Sequence, residues 1–208
     1  MQKRLFDIIG ASLLLVGLFP LLATTALLIW VDSGRPIFFR QTRAGKNGIP
    51  FTILKFRTLA TSCGVTEQPK QHETRIGGLL RRWALDELPQ LWNVLRGEMS
   101  LVGPRPTLPD QVAHYGRYER QRLAVRPGLT GWAQIHGRNA ISWPERIDLD
   151  VWYVRHATLK LDLYILARTP HALVSGEGVH GTNGFNAAYP STESAQASLA
   201  SPTSNRER

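Results

Sequence analysis

Leu85-Asp86-Glu87-Leu88-Pro89-Gln90 sets two adjacent carboxylates just ahead of a repeat in which Leu88, Leu91, Trp92 and Leu95 fall at i, i+3, i+4 and i+7. That spacing predicts an amphipathic helix from about Leu88, closed by Arg96-Gly97, with Asp86 at its start. Pro89 fits the first turn, where its missing N–H has no intrahelical partner. A carboxylate facing the free N–H groups and positive dipole end of a helix is expected to stay ionised at neutral pH, which suits a nucleophile or a magnesium ligand. It suits an ordinary N-cap equally well, with Glu87 a solvated first-turn acid, so the pair alone does not choose.

The surrounding cations narrow the choice. Arg81 and Arg82 come within five residues of Asp86, and Lys55 and Arg57 close an alternating, strand-like run. Val102-Gly103-Pro104-Arg105-Pro106 fixes one arginine between two prolines, which lowers the entropy lost when a guanidinium makes bidentate contact with phosphate. Arg126-Pro127-Gly128-Leu129-Thr130-Gly131-Trp132 and Gly137-Arg138-Asn139 frame further arginines with glycine or proline. Cations beside carboxylates make either a salt-bridged helix junction or a holder for a diphosphate and its metal ion.

The balance of 25 Lys and Arg against 16 Asp and Glu, a formal charge of +9, calls for an anionic partner: nucleic acid, a membrane surface or a phosphorylated small molecule. The single Cys63 excludes an internal disulfide and a thiol metal cluster, and the six histidines lack metal-binding spacing. At 208 residues there is room for one sizeable domain and an appendage.

Positioning begins at the N-terminus. Residues 8–31 are 24 consecutive positions without a charge, about 36 Å of helix at ~1.5 Å per residue, enough for a ~30 Å hydrocarbon layer. Pro20 divides that run into 12 residues and 11, each about half a bilayer. Basic residues lie on both flanks, Lys3 and Arg4 before, Arg35, Arg40, Arg43 and Lys46 after, so both ends satisfy the preference for the cytoplasmic face. The expectation is a re-entrant helix broken at Pro20, not a kinked spanning one. Residues 37–39 and 51–56, joined through Gly45-Lys46-Asn47-Gly48, predict a β-hairpin. Residues 61–73 read as a mobile loop. Residues 145–174 are helical, with Trp143, Trp152, Tyr153 and Tyr164 suited either to the lipid interface or to the core. The fold class expected is α+β: a small, mostly helical domain with a short hairpin, on a membrane anchor. The divisions expected are 1–34 anchor, 35–180 catalytic domain with interfacial helices, and 181–208 disordered tail.

Taken together, Lys55-Phe56-Arg57, Leu85 through Leu95, Met99-Ser100-Leu101-Val102-Gly103-Pro104-Arg105-Pro106, the Arg126 to Trp132 turn and Asp150-Val151-Trp152-Tyr153 resemble the bacterial sugar transferase family, the small monotopic phosphoglycosyl transferases that start glycan assembly on polyprenyl phosphate. The resemblance implies transfer of a sugar 1-phosphate from a UDP-sugar to polyprenyl (undecaprenyl) phosphate, with release of UMP, through a covalent aspartyl-phosphosugar. It implies Asp86 as nucleophile and magnesium ligand, Glu87 as its partner, and Lys55, Arg81, Arg105, Arg138 and Asp150 as substrate-binding positions. It also implies Mg2+, contact with membrane lipids, no nucleic acid, and a catalytic domain on the cytoplasmic side of the inner membrane; oligomer formation stays open. Phe19-Pro20 stands where the family usually has Ser-Pro, Ala84 where it has Ser or Thr, and Thr58-Leu59 where it has Ser-Met. Two alternatives use the same charge differently. A basic membrane-surface or nucleic-acid-binding module would bind with steep salt dependence, and a nucleotide-sugar hydrolase would release UMP without a lipid acceptor.

Overall fold

The structure, a computed structural model, describes residues 2–62, 70–137 and 140–174. The N-terminal apolar run forms two helices, α1 (Gln2–Gly17) and α2 (Phe19–Ser33), bent by 61°. Pro20 sits in the first turn of α2, where it needs no hydrogen bond, and the turn hinges on Leu18. Neither helix alone is long and apolar enough to cross a membrane; the bent pair passes by length and composition together. Leu13, Val16, Phe19, Leu27 and Val31 are all exposed, an apolar surface too continuous for water alone.

The expected hairpin is present as β1 (Phe38–Ala44) and β2 (Pro50–Phe56), antiparallel, with Arg43 opposite Phe51 and Phe39 opposite Lys55. Its turn needs left-handed backbone at Asn47 and Gly48, which residues of those types adopt readily. Two further strand pairs were not foreseen. β3 (Leu59–Ser62) and β4 (Lys70–Glu73) are antiparallel, so the edges of the expected mobile loop are a ladder, while 63–69 fall outside the described residues. β5 (Ser100–Val102) and β6 (Gly128–Thr130) run parallel. These two main chains meet at glycines: a Cβ on Gly128 would lie 2.0 Å from the Gly103 nitrogen, and one on Gly131 2.2 Å from the Gly103 carbonyl oxygen.

Helices α3 (Arg75–Arg82), α4 (Leu91–Arg96), α5 (Pro109–Ala113), α6 (Trp132–Ile135), α7 (Trp143–His156) and α8 (Leu159–Val174) complete the domain. The helical stretch expected over 145–174 is therefore two helices, interrupted at Ala157-Thr158. α7 starts on a reciprocal cap between Ser142 and Glu145. Of its aromatics, Tyr153 is core, whereas Trp152 and, on α8, Tyr164 are exposed beside Trp132.

The main core joins Ala11 of α1, Ile53 of β2, Leu91 and Val94 of α4, Met99, Leu101 and Val102 of the β5 region, Tyr153 and Ile165. Each such large side chain contributes roughly 1.5–3 kcal/mol by leaving water. α1 thus packs into the main core as well as leading into α2. Its first turns carry polar clasps as well. Lys3 Nζ donates to Asp162 Oδ2 at 2.5 Å and to the Val102 carbonyl at 3.1 Å, and Arg4 donates to the Val94 and Leu95 carbonyls at the end of α4. The buried Asp7 accepts from Ser100 Oγ and Leu101 N–H. Lys3 and Arg4, expected to act as a basic membrane flank, are consumed by these internal contacts. At the other end Arg57 caps α2, donating to the Ser33 and Gly34 carbonyls and, through its other terminal nitrogen, to that of Arg35.

Candidate active site

Asp86 sits in the first turn of a 3₁₀ helix, not at the N-terminus of an α-helix. Residues Leu85–Gln90 form a 3₁₀ segment entered through a left-handed Ala84 (φ 53°), and α4 begins only at Leu91. Pro89 lies inside this segment and, lacking an N–H, adds no main-chain bond to it. The expected stop at Gly97 is present, with φ 85°. Leu91 and Val94 bury one face of α4, and Asn93 fixes its angle. The Asn93 side chain donates to the Thr52 carbonyl and to Glu98, and accepts from Leu54 N–H. That buried amide, missed in the sequence, holds α4 to β2 one residue short of Lys55.

Lys55 Nζ meets Glu87 Oε1 at 2.7 Å, and Arg105 grips the same carboxylate with both terminal nitrogens, at 2.5 Å to Oε1 and 3.1 Å to Oε2. The stiff Pro-Arg-Pro segment delivers the two-pronged contact its composition promised, though to a protein carboxylate. Burial alone would push the Glu87 carboxyl up, but Arg105 and Lys55 outweigh it and hold Glu87 far below the ordinary carboxylate range. Reciprocally, Glu87 stabilises the charged Arg105.

Asp86 differs from its neighbour in every respect. It is 7 % exposed, none of the described cations forms an ion pair with it, and its Oδ1 is buried without a hydrogen-bond partner. Burial first, and then the Glu87 charge, raise its pKa to about 6. The expectation that Asp86 stays ionised at neutral pH agrees with a pKa of about 6, but burial and the Glu87 charge make it a more basic carboxylate than a helix end would. Side by side stand one fully neutralised acid and one free acid. The free one can attack an electrophile or bind a cation; the neutralised one anchors two cations beside it.

The remaining expected site residues are dispersed. Arg81 pairs with Glu73 at an exposed position and does not reach the acids. Asp150 is buried against Arg122, one level behind the site, not facing it. Arg138 lies outside the described residues. No three His, Cys, Asp or Glu side chains among the described residues converge on a possible metal position. Magnesium still fits, because it is commonly held by one carboxylate with substrate phosphates and water, and Asp86 Oδ1 is an unengaged oxygen.

An anionic centre beside fixed cations is an arrangement suited to group transfer at a charged electrophile. Residues 1–176 match the bacterial sugar transferase family, and the chain belongs to it. It is 45 % identical over 184 residues to the sugar transferase EpsL of Bacillus subtilis, described as uncharacterized, covering 87 % of this chain and 91 % of EpsL. It is 40 % identical to the UDP-glucose:undecaprenyl-phosphate glucose-1-phosphate transferase of Caulobacter vibrioides, over 86 % of this chain and 72 % of that protein. It is 42 % identical to the undecaprenyl-phosphate glucose phosphotransferase of Komagataeibacter xylinus, over 81 % of this chain but only 35 % of that longer relative.

Proposed function

We propose that the protein transfers a sugar 1-phosphate from a UDP-sugar to membrane polyprenyl phosphate, undecaprenyl phosphate in the first instance, by two displacements at Asp86. In the first, an Asp86 carboxylate oxygen bonds to the β-phosphorus while the bond from that phosphorus to the bridging oxygen breaks, and UMP leaves with the electron pair. In the second, a phosphate oxygen of the lipid attacks the same phosphorus and Asp86 departs as carboxylate, leaving a polyprenyl diphosphosugar. Splitting the transfer avoids bringing two anionic substrates together.

The observation that carries this reading is the unequal acid pair. Glu87 holds Lys55 and Arg105 in place, and Asp86 keeps an unengaged oxygen and a raised basicity. Arg105 is 41 % exposed at its side chain, so a phosphate can approach it while it stays on Glu87. Magnesium, when bound, supplies charge neutralisation on the diphosphate. Asp86 would hold it together with substrate oxygens.

The bent α1–α2 pair is the membrane anchor in this reading, re-entrant from the cytoplasmic face of the inner membrane, with residues 35–180 as the catalytic domain. Its exposed apolar surface and the basic residues that follow α2 support that placement.

The test uses full-length protein in nanodiscs with magnesium and a panel of UDP-sugars. A single-turnover burst of UMP without lipid, a phosphosugar adduct on Asp86 by mass spectrometry, and turnover only on adding undecaprenyl phosphate are expected. Continuous UMP release without lipid would make the protein a hydrolase. No UMP burst without lipid would rule out the covalent route.

A further inference from the structure

Arg43 lies near the end of β1, half-buried, and its guanidinium has no charged partner among the described residues. One terminal nitrogen donates to Gln41 Oε1 at 2.6 Å, and the other only reaches the Pro106 carbonyl at 3.5 Å. Its Nε is buried with no partner at all. Among the described residues no carboxylate oxygen stands within ion-pair distance of it.

Its location is fixed by the main chain. The next residue, Ala44, donates its N–H to the Thr107 carbonyl at 2.9 Å, which staples the end of β1 to the segment that follows Arg105. Arg43 therefore stands at the same join as the guanidinium that grips Glu87. The two sense each other: burial and the Arg105 charge disfavour the Arg43 cation, and Glu87 favours it.

A half-buried guanidinium held by one amide oxygen and one carbonyl at 3.5 Å is poorly satisfied beside Arg122, which has Asp150, or Arg57, which has three main-chain carbonyls. The cations at this join outnumber the acids: Lys55, Arg105 and Arg43 against Glu87 and Asp86.

We propose that Arg43 is a substrate ligand that completes, with Arg105, a two-guanidinium clamp for a phosphate group. This rests on the proposed function and adds a residue to it. The phosphate is either the diphosphate of the nucleotide-sugar or the monophosphate of the lipid acceptor.

Arg43→Gln and Arg43→Lys in the full-length protein in nanodiscs separate these. Calorimetry with inorganic pyrophosphate should show at least a tenfold weaker affinity for Arg43→Gln, with Arg43→Lys in between. KM should rise by a similar factor in one half-reaction. A rise for the UDP-sugar in single-turnover UMP release places the donor diphosphate on Arg43, and a rise for undecaprenyl phosphate in discharge of the preformed adduct places the acceptor there. The thermal midpoint of Arg43→Gln should equal or exceed that of the wild type, because an unpaired buried charge has gone. Unchanged pyrophosphate affinity with both KM values unchanged would overturn the proposal, as would a lowered midpoint with kcat reduced at constant KM. Pyrophosphate binding that depends on Arg43 in a wild-type protein forming no adduct would retain the anion site and reject the transfer reaction.

Discussion

One guanidinium nitrogen of Arg122 donates both to Asp150 Oδ2, at 2.5 Å, and to the main-chain carbonyl of Arg105, at 3.0 Å. A second nitrogen donates to the Tyr115 hydroxyl at 2.7 Å. The Arg122 and Asp150 side chains are each 1 % exposed. Arg122 thus holds the segment that presents Arg105 to Glu87, and Asp150 is the counter-charge that lets Arg122 be buried. Asp150→Asn should destabilise the protein by about 3–5 kcal/mol, because it leaves a buried guanidinium unpaired. The pair Arg122→Met with Asp150→Leu should recover most of that loss. Chemical denaturation of the two variants in the same detergent checks it, and a single variant as stable as the wild type would refute the coupling.

Asp86 should impose its own pH profile. With its pKa raised to about 6, adduct formation should fall as pH drops through 6, while Glu87 stays ionised and its two cations stay in place. Pre-steady-state UMP release between pH 5 and 8 measures this; a profile flat to pH 5 would count against Asp86 as the ionised nucleophile.

The same shift has a stability counterpart. A carboxyl whose folded pKa lies above its unfolded value favours the fold fully below about pH 4 and loses that contribution as pH rises through 6. Asp86→Asn cannot ionise, so it should be more stable than the wild type by roughly 2–3 kcal/mol at pH 8, with the gain vanishing near pH 4. It should also form no adduct. Equal pH dependence of the two unfolding midpoints would show that burial does not strain the Asp86 charge.

Arg105→Lys should reduce turnover by more than tenfold, although the charge is kept. An ammonium can replace one of the two contacts to Glu87 but not the planar pair, and Glu87 would then shift under the remaining pull of Lys55. Steady-state kinetics at saturating substrates reads this directly.

Pro20→Ala restores an N–H inside the first turn of α2 and removes the ring that opposes continuous helix, a change worth about 3 kcal/mol towards straightening. The 61° bend should open. Spin-label distances between positions in α1 and α2 should lengthen, and labelling should place part of the population with its two helix ends on opposite faces of the bilayer. An unaltered distance distribution would assign the bend to the contacts at the two helix ends instead.

How much of this was legible in the sequence depends on the range of the interaction. The hairpin, the Gly97 stop and the break near Pro20 are set by residues close in the chain, and their patterns were readable. The acids were readable as a pair, because adjacent carboxylates ahead of an apolar repeat stand out. Their inequality was not: it arises from Lys55, 32 residues before Glu87, and Arg105, 18 after it. The 3₁₀ entry through Ala84 was hidden because alanine carries no signal for left-handed backbone. The parallel β5–β6 pair was hidden because its three-residue strands are too short for any periodicity, although Gly103, Gly128 and Gly131 marked the place where two main chains touch. The family resemblance singles out Asp150 as a substrate-binding position, whereas the structure buries it against Arg122, a pairing 28 residues apart that no local pattern shows.

The clasps at the start of α1 also impose an order on biosynthesis. Asp7 is made about 93 residues before Ser100, and Lys3 159 residues before Asp162. At roughly 5–20 residues per second, Lys3 waits about 8–30 s for its partner. Asp7 and the Val102 contact of Lys3 are satisfied first, and the Lys3 ion pair is completed only when Asp162 has been made. The bent α1–α2 pair is therefore complete before the core that will hold it exists, and α8, the last of the described helices, brings the residue that locks the first.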